Sequence, residues 1–102
     1  ETLIFDELDS GIGGATAAAV GERLKRLSDH LQLLVITHSP QVAALADHHW
    51  KVSKVTFRNN AITDVTVLAK RERREEIARM LSGATITDEA RAAADKLLAE
   101  AP

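Results

Sequence analysis

Two short apolar runs, Thr2-Leu3-Ile4-Phe5 and Leu31-Gln32-Leu33-Leu34-Val35-Ile36-Thr37, enclose a segment with a different period. Unbroken apolarity of this length predicts strands covered on both faces, as in a parallel sheet. From about Gly14 to Asp29 the spacing is helical. Val20, Leu24, Leu27 and Leu31 fall on one side, and Glu22, Arg23, Lys25 and Arg26 on the other. Strand, helix and strand in this order predict a right-handed βαβ unit.

Further on, Ser39-Pro40 reads as a helix start, with Ser as N-cap and Pro in the first helical position. The helix is expected to be short and to end near Asp47. From Trp50 the period becomes two, through Trp50, Val52, Val55 and Phe57, with a break in register at Ser53-Lys54. Asn59-Asn60 is the expected hairpin turn, and Ile62, Val65 and Val67 mark the return strand. A charged helix is expected from about Lys70 to Leu81, closed by Gly83. Thr87 caps a last helix carrying Asp88 and Glu89 in its first turn.

With 102 residues, 45% of them hydrophobic, the chain suits one small domain or one lobe of a larger one. Phe5, Trp50 and Phe57 are its only aromatics, so the core has to be aliphatic. The net charge of -2 does not make this chain a main electrostatic footprint for nucleic acid. Without cysteine, disulfide and thiolate chemistry are excluded. No run approaches the ~20 apolar residues of a membrane helix, and no signal peptide is visible. Glu1 stands directly against an apolar run with no Met before it, which predicts a piece cut from a longer polypeptide.

The candidate chemistry lies at the strand ends. In an open parallel sheet, ligands sit at the carboxyl ends of the strands. The first run ends at Asp6-Glu7 and the second at Thr37-His38, so a parallel pairing brings two carboxylates and an imidazole to one edge. Adjacent residues on an extended tip point in different directions, which allows two roles. One carboxylate can hold a hard cation such as Mg²⁺, directly or through water. The other can orient a water or take its proton. His38 can donate a hydrogen bond to a phosphate oxygen that gains charge during transfer. The set suits metal-assisted phosphoryl transfer, yet no GxxxxGK[ST] phosphate cradle occurs in the chain.

The stretches TLIFDELDSGIGG, VITHSPQVAALADHHWKVSK and REEIARMLSGATITDEARAAADKLL resemble, in this order, the C-terminal end of the RecN family of SMC-like bacterial DNA-repair ATPases. The resemblance implies an α/β fold, with residues 1–102 as the C-terminal lobe of a P-loop, ABC-type head. That lobe would have a mostly parallel sheet flanked by helices, plus an antiparallel hairpin from about Trp50 to Leu68. It implies ATP and Mg²⁺ as cofactors. Asp6 would be the Walker B aspartate, holding Mg²⁺ through water. Glu7 would be the general base, and His38 the switch histidine that senses the γ-phosphate. Asp9 to Gly14 would be the D-loop, with Ser10, Gly11 and Gly13 near nucleotide. Gly13 stands where SMC heads commonly carry an aspartate, so contacts across a head dimer would come from backbone or from Ser10. Gln41 follows His38 closely and is given no role.

The implied partners are the N-terminal lobe of the same head, a second head across ATP in a homodimer, and DNA through the parent protein; no membrane is involved. The implied function is ATP hydrolysis in the repair and recombination of DNA double-strand breaks, in the bacterial cytoplasm at the nucleoid. The chain alone, lacking the phosphate cradle, is expected to be inactive. An alternative is a head of another SMC-like or ABC ATPase acting mainly as an ATP-gated clamp on DNA. An unrelated Mg²⁺-dependent phosphatase or receiver-like domain would need its whole catalytic set within this chain.

Several features read as structural. Leu81-Ser82-Gly83 imitates the start of the ABC signature but follows Walker B and continues Ala84-Thr85, so it reads as a helix end. His48 and His49 lack further ligands at metal spacing and read as strand-edge residues. His30 reads as a helix-end residue. Lys70-Arg71-Glu72-Arg73-Arg74, with Glu75 and Glu76, reads as a solvated face with i,i+4 pairs rather than a DNA patch. Gly11, Gly13 and Gly14 read as allowing close backbone approach rather than as an anion nest.

Overall fold

A computed structural model describes residues 1–7 and 11–101. The first apolar run forms β1 (Thr2–Asp6) and the second β2 (Gln32–Ile36), joined through helix α1 (Gly14–Leu27). The strands pair in parallel, from Thr2 opposite Gln32 to Asp6 opposite Ile36. Side chains alternate across this sheet. Leu3, Phe5, Leu33 and Val35 are half-buried, while Ile4, Leu34 and Ile36 on the opposite face are exposed. The expectation of cover on both faces therefore holds for one face only. Leu31 falls in the loop beyond α1 and is half-buried there.

Helix α2 (Pro40–Ala43) starts as expected, with the Ser39 hydroxyl accepting the Val42 N–H at 3.4 Å. It ends four residues before Asp47, and a cation from elsewhere in the chain binds the carbonyls left open there. Nη2 of Arg73 donates to the carbonyls of Ala43, Ala44 and Ala46 at 2.9, 3.0 and 2.7 Å. Helices α1 and α2 approach closely at Gly21. A Cβ there would lie 2.7 Å from Cδ1 of Leu45 and 3.4 Å from Cα of Val42. Lys25 of α1 also pairs with Asp47 just beyond α2.

Strands β3 (Trp50–Phe57) and β4 (Asn60–Val67) form the antiparallel hairpin. Its turn is Arg58-Asn59, one residue earlier than the sequence suggests. Both residues have positive φ, 50° and 65°, and Asn60 already pairs with Phe57. Left-handed geometry at both central positions matches the right-handed twist of the strands. Pairing is continuous through Ser53 and Lys54, so there is no register break. What changes there is the apolar face: Trp50 and Val52 lie on one side, Val55 and Phe57 on the other.

The core sits where α3 (Lys70–Ser82) meets α4 (Asp88–Glu100) and the end of α2. Ile77, Ala78, Ala90, Ala94 and Ala44 are buried, with Ile86, Leu97 and Leu98 packed around them. The small side chains let the helices pack closely, and the core is aliphatic as composition requires. Gly83 closes α3 with φ 84°, its N–H bonded to the Arg79 carbonyl at 2.8 Å. Thr87 caps α4 by accepting the Ala90 N–H at 3.1 Å. The charges on α3 find partners mainly on other elements, not along their own helix at i,i+4. Arg74 holds Asp95 with two bonds, at 2.6 and 2.9 Å, and Glu75 accepts from Arg91 at 3.0 Å. Only Glu76 and Arg79 pair within α3, at i,i+3.

Candidate functional site

Parallel pairing of β1 and β2 puts both carboxyl ends on one edge of the sheet, so the residues that follow them meet. Oε1 of Glu7 lies 3.0 Å from Nε2 of His38. The Glu7 N–H continues the ladder by bonding the Ile36 carbonyl at 2.8 Å. Glu7 itself turns out of the strand with φ 52°. A non-glycine residue in that region carries local strain. This left-handed turn, rather than simple alternation along an extended tip, separates Glu7 from Asp6. Asp6 stays in register with Ile36 on the open face of the sheet, exposed beside Ile4 and Ile36.

Glu7 and His38 border an open groove of about 300 Å³, with Gly11, Gly14, Ser39 and Gln41 also on its walls. The His38 side chain is 91% exposed, so its imidazole is accessible to a ligand in that groove. Gly11 has φ 79°, a conformation that favours glycine. Gly13 is the extended N-cap residue of α1. Ser10, like Asp9, lies outside the described residues. The structure thus brings Glu7, His38 and Gly11 to one groove, with Gly13 beside it, and leaves Asp6 off the groove wall.

Sequence reasoning assigns Gln41 no role, yet its side chain touches both sides of the groove. Its Oε1 accepts from the Ser39 hydroxyl at 3.0 Å, and its Nε2 packs against Gly14. The available signal was its position on the first turn of a helix that begins right after His38.

A second charged cluster surrounds Glu76, whose side chain is only 8% exposed. Burial raises its carboxyl, but hydrogen bonding from Arg79, with Lys51 and His49 near, outweighs this and holds it below the usual glutamate range. Burial lowers the His49 imidazole; Arg73 adds to the shift and Glu76 opposes it. Among the described residues no His, Asp and Glu side chains group in threes to hold a metal, His48 and His49 included. No helix among them is long and apolar enough to cross a membrane.

This arrangement has the fold of an SMC-type ATPase head. One similar solved structure comes from work on ATP-driven dimerization and DNA-stimulated activation of SMC ATPases. It has a TM-score of 0.67 and 23% identity, over 82% of this chain and 50% of that one. The Smc head domain with coiled coil and joint from Pyrococcus yayanosii matches with TM-score 0.65 and 25% identity, over 79% of this chain and 15% of that one. In sequence, the chain is similar to one segment of RecN proteins. It is 50% identical to DNA repair protein RecN of Xylella fastidiosa over 97% of its own length. It is 52% identical to the RecN of Rickettsia felis over 95%. Against the RecN of Deinococcus radiodurans it is 54% identical over 82%, which is 15% of that protein. The chain spans 18% of the length of the Xylella and Rickettsia proteins. No family model matches it.

Proposed function

We propose that this chain is the C-terminal lobe of an ATP-hydrolysing head in a RecN-type protein that repairs DNA double-strand breaks. The observation that carries the reading is the 3.0 Å contact between Glu7 and His38 at the shared carboxyl edge of two parallel strands. The likeness to RecN proteins and to SMC heads supports it.

The donor set fits a nucleotide-bound Mg²⁺ rather than a metal held by protein alone. Such an ion keeps most of its ligands as water and phosphate oxygens and needs one or two protein carboxylates. Asp6, exposed at the end of β1 and off the wall of the groove that Glu7 and His38 border, would reach it only through water. When bound, Mg²⁺ with ATP would neutralise charge on the phosphate oxygens. Glu7 would orient a water and accept its proton. Nε2 of His38, 3.0 Å from the Glu7 carboxylate in this structure, would donate to a phosphate oxygen in the groove. Gly11 and Ser10, in the D-loop, would face a second head across the nucleotide. The phosphate cradle would come from the N-terminal lobe, and DNA would be bound by the assembled protein in the bacterial cytoplasm, at the nucleoid.

The test is Glu7→Gln in the full-length protein. It keeps the shape of the side chain and removes its basicity. Nucleotide binding should persist while turnover falls about 100-fold or more. Undiminished turnover would overturn the reading.

A further inference from the structure

Gln41 joins the two halves of the groove. The segment that carries His38 is clasped by short-range bonds: the Ser39 N–H donates to the Thr37 hydroxyl at 2.9 Å, and the Ser39 hydroxyl donates to Oε1 of Gln41 at 3.0 Å. The same hydroxyl accepts the Val42 N–H and so anchors this segment to α2. The other end of the Gln41 amide reaches across to α1. A Cβ added at Gly14 would lie 3.3 Å from its Nε2, closer than side chains normally pack. Gly14 is the first residue of α1 and directly follows the glycine turn that lines the groove with Gly11. One side chain therefore has its carbonyl end tied to the His38 segment and its amide end seated on the start of α1.

We infer that Gln41 is a positioning residue: it transmits the placement of the Gly11–Gly14 turn to His38, and thereby sets His38 against Glu7 for turnover. The inference rests on the role proposed above for Glu7 and His38. It explains why the first position of α1 is glycine although its φ is not left-handed. The missing side chain leaves room for the Gln41 amide. Gln41 touches no reacting atom in this scheme. Its loss should leave nucleotide affinity largely intact and slow the step that needs His38 and Glu7 in register.

The experiment measures kcat and KM for ATP in the full-length protein carrying Gln41→Ala, Gly14→Ala and both, with Glu7→Gln alongside and thermal melting as a control for folding. Gln41→Ala should lower kcat about tenfold with KM within about twofold, the pattern of misplacement rather than lost binding. Gly14→Ala pushes the amide aside by a few tenths of an ångström and should lower kcat in the same direction by about threefold. The decisive readout is the pair. With Gln41 truncated, the Gly14 methyl meets no amide, so the double variant should be no slower than Gln41→Ala alone. Independent roles for the two residues would give additive losses, and a merely structural role would lower the melting temperature without the split between kcat and KM. Additive losses overturn the inference, as does a Gln41→Ala kcat within about twofold of the parent. If Glu7→Gln is inactive while the Gln41 variants are normal, only this inference fails; if Glu7→Gln turns over normally, the proposed function itself fails.

Discussion

Arg73 caps a helix it does not belong to, its Nη2 donating to the Ala46 carbonyl at 2.7 Å. The same nitrogen reaches Ala43 and Ala44, so one guanidinium satisfies the end of α2 and joins it to α3. Charge-assisted bonds of this kind are among the stronger ones, and losing them leaves carbonyls without their partner. Arg73→Ala should lower the unfolding free energy by about 2–3 kcal/mol. A shift in the urea midpoint with an unchanged slope would be the signature.

Acid should weaken the fold in two stages. The first belongs to His49, whose imidazole is depressed from its ordinary 6.5 by burial. A depressed base takes up its proton more readily when unfolded, so stability is full above 6.5 and falls as the pH drops from there toward the folded value. The second stage belongs to the paired carboxylates, above all Glu76, held low despite burial, with Asp47, Glu75 and Asp95 lowered by their cation partners. Their contribution is present above the unfolded carboxyl values and is lost as the pH falls through the folded ones. Melting temperature against pH should show both limbs, and His49→Leu should remove the upper one.

Gly21 sits where α1 meets α2. Alanine would gain up to about 1 kcal/mol of helix propensity, while its methyl has only the mobile end of Leu45 to displace. Gly21→Ala should therefore change stability little. Gly21→Val adds bulk toward the Val42 backbone, which cannot swing away, and should cost about 1–3 kcal/mol by overpacking. Differential denaturation of the two variants would show the contrast.

The purified 102-residue chain should not turn over ATP, because it contains no phosphate cradle. Steady phosphate release that Glu7→Ala abolishes would contradict this.

Much of this architecture is legible in residue order. Apolar runs mark the strands, and Ser39-Pro40, Thr87 and Gly83 mark helix ends, because the capping chemistry there is local. Where the sequence misleads, the deciding partner is distant or the deciding property is backbone conformation. The open end of α2 is capped by Arg73, thirty residues away. The charged face of α3 stays solvated at Arg74 and Glu75, but its pairs run to Asp95 and Arg91 of α4 instead of along its own helix. The hairpin turn shifts by one residue because the strand register pairs Asn60 with Phe57 and leaves Arg58 and Asn59 as the turn, although Asn60 would tolerate left-handed geometry better than Arg58. At the site, the meeting of Glu7 and His38 follows from strand ends alone. The left-handed turn at Glu7 and the span of Gln41 to Gly14 depend on three-dimensional closeness that no spacing rule encodes.

Each described sheet contains only two strands, so every strand has a neighbour on one side and a bare row of amide and carbonyl groups on the other. On the β1–β2 sheet those rows adjoin the uncovered faces of Ile4, Leu34 and Ile36. Such margins recruit whatever polypeptide can extend the ladder. Produced by itself at high concentration, the chain should therefore add to its own kind edge by edge, and co-expression with polypeptide able to continue the sheet should keep it dispersed.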